Sequence, residues 1–409
     1  MSGDAMSLGE RIKRIRMRRQ LTREKFAEKA DVSVDLVRKL EQGVRHTASM
    51  SSLTRMATAL DVEVAQLLGQ SSTVEPTVDT EATGVLAIRD ALTSLAYFPG
   101  LGSSEIVADE PPTVAHLRSA LAHCERIRKQ GSFAQLGAIL PGLIAEAHGA
   151  TRELTGDDQA AAFGVLSEVF QVASTMMAAL GQTNIGYIGL IRAQEAAQRA
   201  GDDLLQAMNV SSLSWVLFKQ GRLKDAEEAA VRKAEQLRPD FIHDGARKLG
   251  VWGVLMLRAA SAAVRNKKPD RAEEYLSLAR TAAARIGSDQ TICSTPFGPT
   301  NVGIASVNAA VESERFENAL TLARSVSLPG NDSLSPTWKA RYLLDLTIAY
   351  SGLDRDHEAT AQLLKAERLA PEWMRYHTLT RQTVYELAER AKRRRTPIQE
   401  LADRLDILD

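Results

Sequence analysis

The stretch Thr22–Gly43, TREKFAEKADVSVDLVRKLEQG, reads as two short helices joined by a tight turn. Thr22 is a good N-cap, and Phe26, Ala27 and Ala30 give the first helix one apolar face. Asp31 fills the turn, where a short polar side chain tolerates a left-handed backbone. Ser33 caps the second helix, whose inner face is Leu36, Val37 and Leu40; Val34, Asp35, Arg38 and Lys39 are left pointing outward. Gly43 closes it as the residue just past the end. A helix pair of this size inside a basic N-terminal segment is a shape that enters the DNA major groove.

Working outward, Leu8, Ile12 and Ile15 form a helical stripe on a helix that also carries Arg11, Lys13, Arg14, Arg16, Arg18 and Arg19. On the other side, Ser51–Leu60 buries Leu53, Met56, Ala57 and Leu60, and Val64–Leu68 adds a last turn. Five helices are therefore expected. The segments LGERIKRIR at 8–16, LTREKFAEKADVSVDLVRKLEQG at 21–43 and LTRMATALDVEVAQLLG at 53–69 resemble a helix-turn-helix domain of the Xre/Cro type, the family of the lambdoid phage repressors. The resemblance implies that the start of the second helix reads bases, which points to Val34, Asp35, Arg38 and Lys39, and that Arg23 contacts a phosphate. With Ser33 and Arg45 these complete the candidate DNA-contact set. It also implies an ion pair between Arg16 and Glu41 that braces the domain. Val34 and Asp35 depart from the amide or guanidinium side chains more usual in the family. Valine can touch a thymine methyl and aspartate can accept from cytosine, although Asp35 also repels phosphates.

Charge supports that reading only locally. The whole chain has 51 Lys and Arg against 51 Asp and Glu, but residues 1–70 hold 13 against 9 and the remainder 38 against 42. This asymmetry marks the N-terminal end as the nucleic-acid face. At 409 residues the chain is expected to form about two or three domains. No apolar run near the roughly 18 residues of a membrane span and no signal sequence stand out. Cys124 and Cys293 are expected to be free thiols in a reducing cytoplasm, with a redox switch as the alternative.

Residues 1–70 thus read as the DNA-binding domain and 71–113 as a connecting region. Ser71–Gly84 is polar and acidic, as in a flexible linker; Val85–Tyr97 could form a short helix; and Pro99–Thr113 is rich in turn residues. From 114 to 409 the pattern is helical and repetitive. Arg341–Pro371, with Leu343, Leu346, Tyr350, Ala359, Leu363, Ala366 and Pro371, resembles the tetratricopeptide pattern. Val210–Pro239 repeats the theme through Leu213, Leu217, Gly221 and Ala226, and Ala160–Ala200 is an earlier, degenerate unit. The small-residue markers Ala226, Ala272, Ala319 and Ala359 lie 46, 47 and 40 residues apart, so the units are stretched. Small residues recur where paired helices approach closely, and stacked units bury the faces that one unit leaves open. The expected fold is all-α: an N-terminal five-helix helix-turn-helix domain plus a C-terminal tetratricopeptide-like α-solenoid, an unrelated helical bundle being the alternative.

The combination resembles the actinobacterial regulators that join an Xre-type domain to tetratricopeptide repeats. FGPTNV at 297–302 and LLKAERLAPEWMRYHTLTRQTVYELAERAKRR at 363–394 also look like that group. It implies a sequence-specific DNA-binding transcription regulator, cytoplasmic and nucleoid-associated, that partners double-stranded DNA and forms a homodimer. A small molecule or peptide is the expected effector. Peptide-sensing quorum regulators, which are distantly similar, clamp a peptide backbone with asparagines in the concave groove. Here Asn301 and Asn308 share a helix face, Asn209 and Trp215 lie on a corresponding first helix, Arg341 begins another, and Phe297 and Thr300 precede Asn301 in a loop. An amide can both donate to and accept from a peptide unit. Asn209, Trp215, Phe297, Asn301, Asn308 and Arg341 are therefore the candidate effector contacts, while Trp252 and Tyr187 read as core. The alternative function is an adaptor whose open, charged solenoid binds a partner protein, with DNA contact as a tether.

No enzyme is expected. The seven histidines form no metal-spaced group, and there is no P-loop, no G-x-S-x-G and no dinucleotide fingerprint on a strand–helix unit. No cofactor or metal is expected, and Lys392–Arg395 reads as solvated surface. The amphipathic segment Thr380–Asp409, with Val384, Leu387, Ala388, Ile398, Leu401 and Leu405, is either a dimer contact or a cap that seals the last repeat.

Overall fold

The computed structural model describes residues 7–45, 48, 50–60, 62, 64–67, 84–97, 113–328, 334–391, 396–405 and 407. Of the linker expected over Ser71–Gly84 and the loop over Pro99–Thr113, only Gly84 and Thr113 fall inside that range; His46 and Lys392–Arg395 lie outside it. Among the described residues the elements are helices except for one short hairpin.

The head comprises α1 (Leu8–Arg18), α2 (Arg23–Lys29), α3 (Val34–Glu41), α4 (Met50–Leu60) and α5 (Val64–Leu67). Its helix starts are fixed by side-chain caps. The Ser7 and Glu10 side chains exchange hydrogen bonds with each other's backbone N–H, while Thr22 accepts from the Lys25 N–H and Ser33 from the Leu36 N–H. Asp31 carries the turn with φ 48°, and Gly43 (φ 68°) ends α3, with the Gly43 and Val44 N–H groups bonded to the Leu40 and Lys39 carbonyls. Ile12, Phe26, Val37, Leu40, Leu53, Met56 and Leu60 form a core of the head's own. Helix α1 lies directly on the end of α3: a Cβ at Gly9 would stand 1.8 Å from the Leu40 carbonyl oxygen.

The remainder is a stack of six antiparallel helix pairs: α7 (Val114–Gln130) with α8 (Phe133–Glu153), α9 (Gly156–Ala179) with α10 (Thr183–Ala200), α11 (Asp203–Lys219) with α12 (Leu223–Leu237), α13 (Ala246–Arg265) with α14 (Pro269–Ile286), α15 (Pro299–Glu312) with α16 (Phe316–Ala323), and α17 (Pro336–Gly352) with α18 (Asp356–Leu369). Each first helix ends at one left-handed residue, in order Gly131, Gly181, Gly221, Lys267, Glu314 and Asp354. In the last five pairs, the fifth residue beyond that point is Gly186, Ala226, Ala272, Ala319 or Ala359. All four expected alanines are buried where the helices of a pair cross. The degenerate second unit has glycine there, and a Cβ at Gly186 would stand 2.7 Å from the Ser174 carbonyl oxygen. Ser214 Oγ, twelve residues before Ala226, donates to the Ala226 carbonyl at 2.8 Å; Thr347 reaches the Ala359 carbonyl at 3.5 Å from the same register.

Three features depart from the expectation. Helix α6 (Val85–Leu92) is not a linker element: Val85, Ile88 and Leu92 are buried in the core of the first two pairs. Residues around Phe297 form a hairpin rather than a loop, with β1 (Gln290–Ile292) antiparallel to β2 (Thr295–Phe297). Its two-residue turn places Cys293 (φ 45°) and Ser294 (φ 62°) in the left-handed region, a geometry usually announced by Asn-Gly and hidden in this sequence. Finally, α20 (Thr378–Arg390) and α21 (Pro397–Arg404), which follow the short α19 (Pro371–Tyr376), bury Val384, Leu387, Ile398, Leu401 and Leu405 against the last pair. The C-terminal segment is therefore the cap, and its apolar positions are filled within the chain.

The superhelix closes into a ring. Thr337 Oγ1 donates to the Lys129 carbonyl at 3.4 Å, the Ala134 N–H to Glu372 Oε1 at 2.8 Å, and Phe133 and Tyr376 meet edge-on at 6.0 Å between ring centroids. The head rests on the ring, with Lys267 Nζ 3.3 Å from Asp31 Oδ2 and Thr54 close to Gly221. One helix, Gly156–Ala179, is long and apolar enough to cross a membrane by length and composition, a run the sequence reading passed over. Here it is a core helix packed between α8 and α10, with 61% of its apolar window buried.

Candidate functional site

Two sites stand out, one on the head and one inside the ring. On the head, Val34, Asp35, Arg38 and Lys39 are all exposed along the start and outer face of α3, and Ser33 and Arg45 are exposed at its two ends. Asp35 pairs with Arg38 one turn on and with Lys39 Nζ at 2.7 Å. Hydrogen bonds from Lys39 and then Arg38 hold its carboxyl below the usual aspartate value. Asp35 thus gathers both cations on the exposed outer face of α3.

Glu41, the last residue of α3, is fully enclosed. It accepts from Arg16 Nε at 2.6 Å and Nη2 at 3.0 Å, and from Arg23 Nε at 2.7 Å. Burial alone would raise the Glu41 carboxyl; the Arg16 and Arg23 hydrogen bonds outweigh it and leave the value lowered. The expected Arg16–Glu41 pair is present. Arg23, expected at a phosphate, is also the second partner of Glu41 through its Nε, and its side chain remains 37% exposed. Arg11 is also structural, donating to the Leu67 carbonyl at 2.7 Å.

Inside the ring, the first helices line a half-open chamber of about 440 Å³. This lies within the range of small-molecule sites. Of the six candidate effector contacts, Trp215, Asn301, Asn308 and Arg341 line it. Asn308 donates to Asp345 Oδ1 at 3.0 Å, and Arg341 pairs with the same carboxylate at 3.1 Å. Burial raises Asp345 to about 6 in spite of those partners. The other two leave the site. Asn209 is buried between helices and donates to Ser167 Oγ at 2.9 Å. Phe297 is wholly buried, its ring seated against α13 where a Cβ at Gly253 would meet it at 2.0 Å. The hairpin turns that side chain toward the core, and only glycine at position 253 lets it in.

The sequence reading missed Lys219, Arg258, Trp338, Trp373 and His377, which also line the chamber. A signal existed: Arg258 interrupts the otherwise apolar run Val251–Ala260, and Lys219 ends another, so both are charges on faces that should be buried. Burial, with Arg341 and Arg265 nearby, lowers Lys219 to about 8, and burial lowers Arg258 to about 10. His377, stacked on Trp373 at 4.3 Å, is pushed well below its usual value by burial and by Arg341 and Lys219, so it is neutral. Thr54 and Val64 of the head complete the wall. Among the described residues no group of three or more His, Cys, Asp or Glu could hold a metal, and Cys124 and Cys293 are free thiols.

Comparison with known proteins concerns chiefly the head. Residues 7–68 match the family described as helix-turn-helix domain. Over 70 residues the chain is 36% identical to the immunity repressor protein of Bacillus phage phi105, which covers 17% of this chain and 48% of that protein. The chain therefore spans about half the length of the curated relative it matches. Among solved structures, Bacillus thuringiensis PlcR in complex with the peptide PapR7 and DNA aligns over 87% of this chain and 99% of that one, at 13% identity and a TM-score of 0.33. A score that low carries no argument about this chain.

Proposed function

We propose that this protein is a sequence-specific, DNA-binding transcription regulator whose ring of helix pairs holds a small effector. The observation that carries the reading is the exposed, cation-bearing start of α3 on a head matched as a helix-turn-helix domain. Arg38 and Lys39 are the base-edge or phosphate contacts, Ser33, Val34 and Arg45 flank them, and Asp35 orients the two cations. The chamber, about 440 Å³ and walled partly by tryptophans, supports a small molecule or short peptide as its occupant; the adaptor alternative calls for a wide, flat concave face. Because Thr54 and Val64 belong to both the head and the chamber wall, an occupant that prefers one placement of the head shifts the DNA-binding equilibrium by that preference. A single small head reads few base pairs, so binding as a homodimer to two related half-sites is part of this proposal.

The test is fluorescence anisotropy of the full chain against duplexes selected from genomic fragments, with random duplex as reference. Arg38→Ala and Lys39→Ala should each cost roughly 1–3 kcal/mol on the preferred site if they read base edges. Equal losses on selected and random duplex would make them phosphate contacts. Absence of duplex binding at low salt would end the regulator reading.

A further inference from the structure

The chamber carries more positive charge than its own carboxylates answer. Arg341 is matched by Asp345 at 3.1 Å, Arg265 by Glu312, and Arg128 by Glu125 at 2.7 Å. Lys219 and Arg258 have no carboxylate partner among the described residues. The Lys219 ammonium has the Trp215 ring at 5.5 Å, and Arg258 Nε has the Ser211 hydroxyl at 3.3 Å. Half-buried cations without a carboxylate partner favour the arrival of a counter-charge.

A second observation points the same way. The Asn301 side chain lines the chamber and is 4% exposed, yet its Nδ2 has no hydrogen-bond partner. Gln171 Nε2, also on the wall, is likewise unanswered. All four of these groups are donors, so what is missing is an acceptor carrying negative charge. The rest of the wall is supplied with flat apolar surface by Trp215, Trp338 and Trp373.

We propose that the chamber binds an amphiphilic organic acid, its carboxylate held by Lys219, its further acceptor oxygens met by the unpartnered amides of the wall, and its apolar body laid against the tryptophans. This rests on the effector-chamber reading and names the class of effector. The same chemistry is offered by a free aromatic acid and by the C-terminal carboxylate of a short apolar peptide.

The test uses the full chain and two probes that differ by one anionic group, 8-anilinonaphthalene-1-sulfonate and its uncharged parent N-phenyl-1-naphthylamine, read by their fluorescence. The sulfonate should bind more tightly than the parent. Lys219→Met should weaken the sulfonate about tenfold while leaving the parent within about twofold, and Lys219→Arg should retain binding. Thermal melts keep a folding failure separate from a lost contact, and Lys219→Arg provides a folded comparator. Equal binding of the two probes, or parallel loss of both in the Met variant, would overturn the proposal. Displacement of the sulfonate then identifies the source, with indole-3-acetate against indole-3-acetamide and an apolar pentapeptide acid against its C-terminal amide. An acid that displaces where its amide does not supports the assignment; acids and amides that displace alike, or neither acid displacing, overturn it. Because the fluorescence needs no DNA, a chain that shows the anion preference but binds no duplex would sink the regulator reading and spare the site.

Discussion

Replacing Arg16 with methionine takes the main partner away from the buried Glu41 carboxylate. The Glu41 side chain has no exposed surface and the Arg16 side chain only 10%, and Arg16 contributes two of the three charged hydrogen bonds that Glu41 accepts. Arg16 Nη1 also donates to the Leu21 carbonyl at 2.6 Å, tying α1 to the loop before α2. Stranding a buried carboxylate costs about 3–5 kcal/mol. Arg23 stays as a partner at 2.7 Å but is 37% exposed, so the lower end, about 3 kcal/mol, is expected. In a domain of this size that is a fall in melting temperature of roughly 12 °C or more. Residues 1–70, which enclose a core of their own, are the sample, melted by circular dichroism at several pH values. The Glu41 carboxyl is lowered in the fold, so its stabilisation is present above the usual glutamate range and is lost as pH falls through the folded value. Without Arg16, burial raises that carboxyl and it protonates at higher pH. The gap between wild type and Arg16→Met should therefore shrink from pH 7 toward pH 4. Adding Glu41→Leu should recover most of the loss at pH 7. A melt unmoved by Arg16→Met, or a gap constant with pH, would refute the reasoning.

Further outcomes follow from the same geometry. Gly9→Ala drives a Cβ onto the Leu40 carbonyl and should destabilise the head by about 1–3 kcal/mol in urea titration; a stabilised variant would mean α1 does not lie on α3 as described. Sulfonate binding should fall about tenfold between pH 7 and 9, because Lys219 loses its charge on passing about 8. Of the other charged groups near it, His377 is already neutral and Arg265 and Arg341 stay paired, so a flat profile would exclude Lys219 from the contact. Deleting residues 396–409 uncovers the core that Ile398, Leu401 and Leu405 seal and should cost about 4 kcal/mol or more at roughly 1.5 kcal/mol per aliphatic side chain. Light scattering on the same variant should leave the particle's subunit number unchanged; a drop would return that segment to the interface.

What the sequence determined was local. Caps at Thr22 and Ser33, a short polar residue in the turn at Asp31 and a glycine at Gly43 act within one or two helical turns, so the helix pair and the outward face of α3 were legible from residue spacing alone. The buried alanines of the repeats were legible for the same reason, since each marks a crossing between helices adjacent in sequence. Ring closure was not. Lys129 meets Thr337, and Ala134 meets Glu372, only after the small rotations of six helix pairs accumulate, and no local period records that sum. Closure is what turns Lys219 and Arg258 from two misplaced charges into one wall of a chamber. The tertiary structure likewise decided against Asn209 and Phe297, because the direction of a side chain is set by what packs opposite it: Ser167 for the one and the glycine-lined groove of α13 for the other.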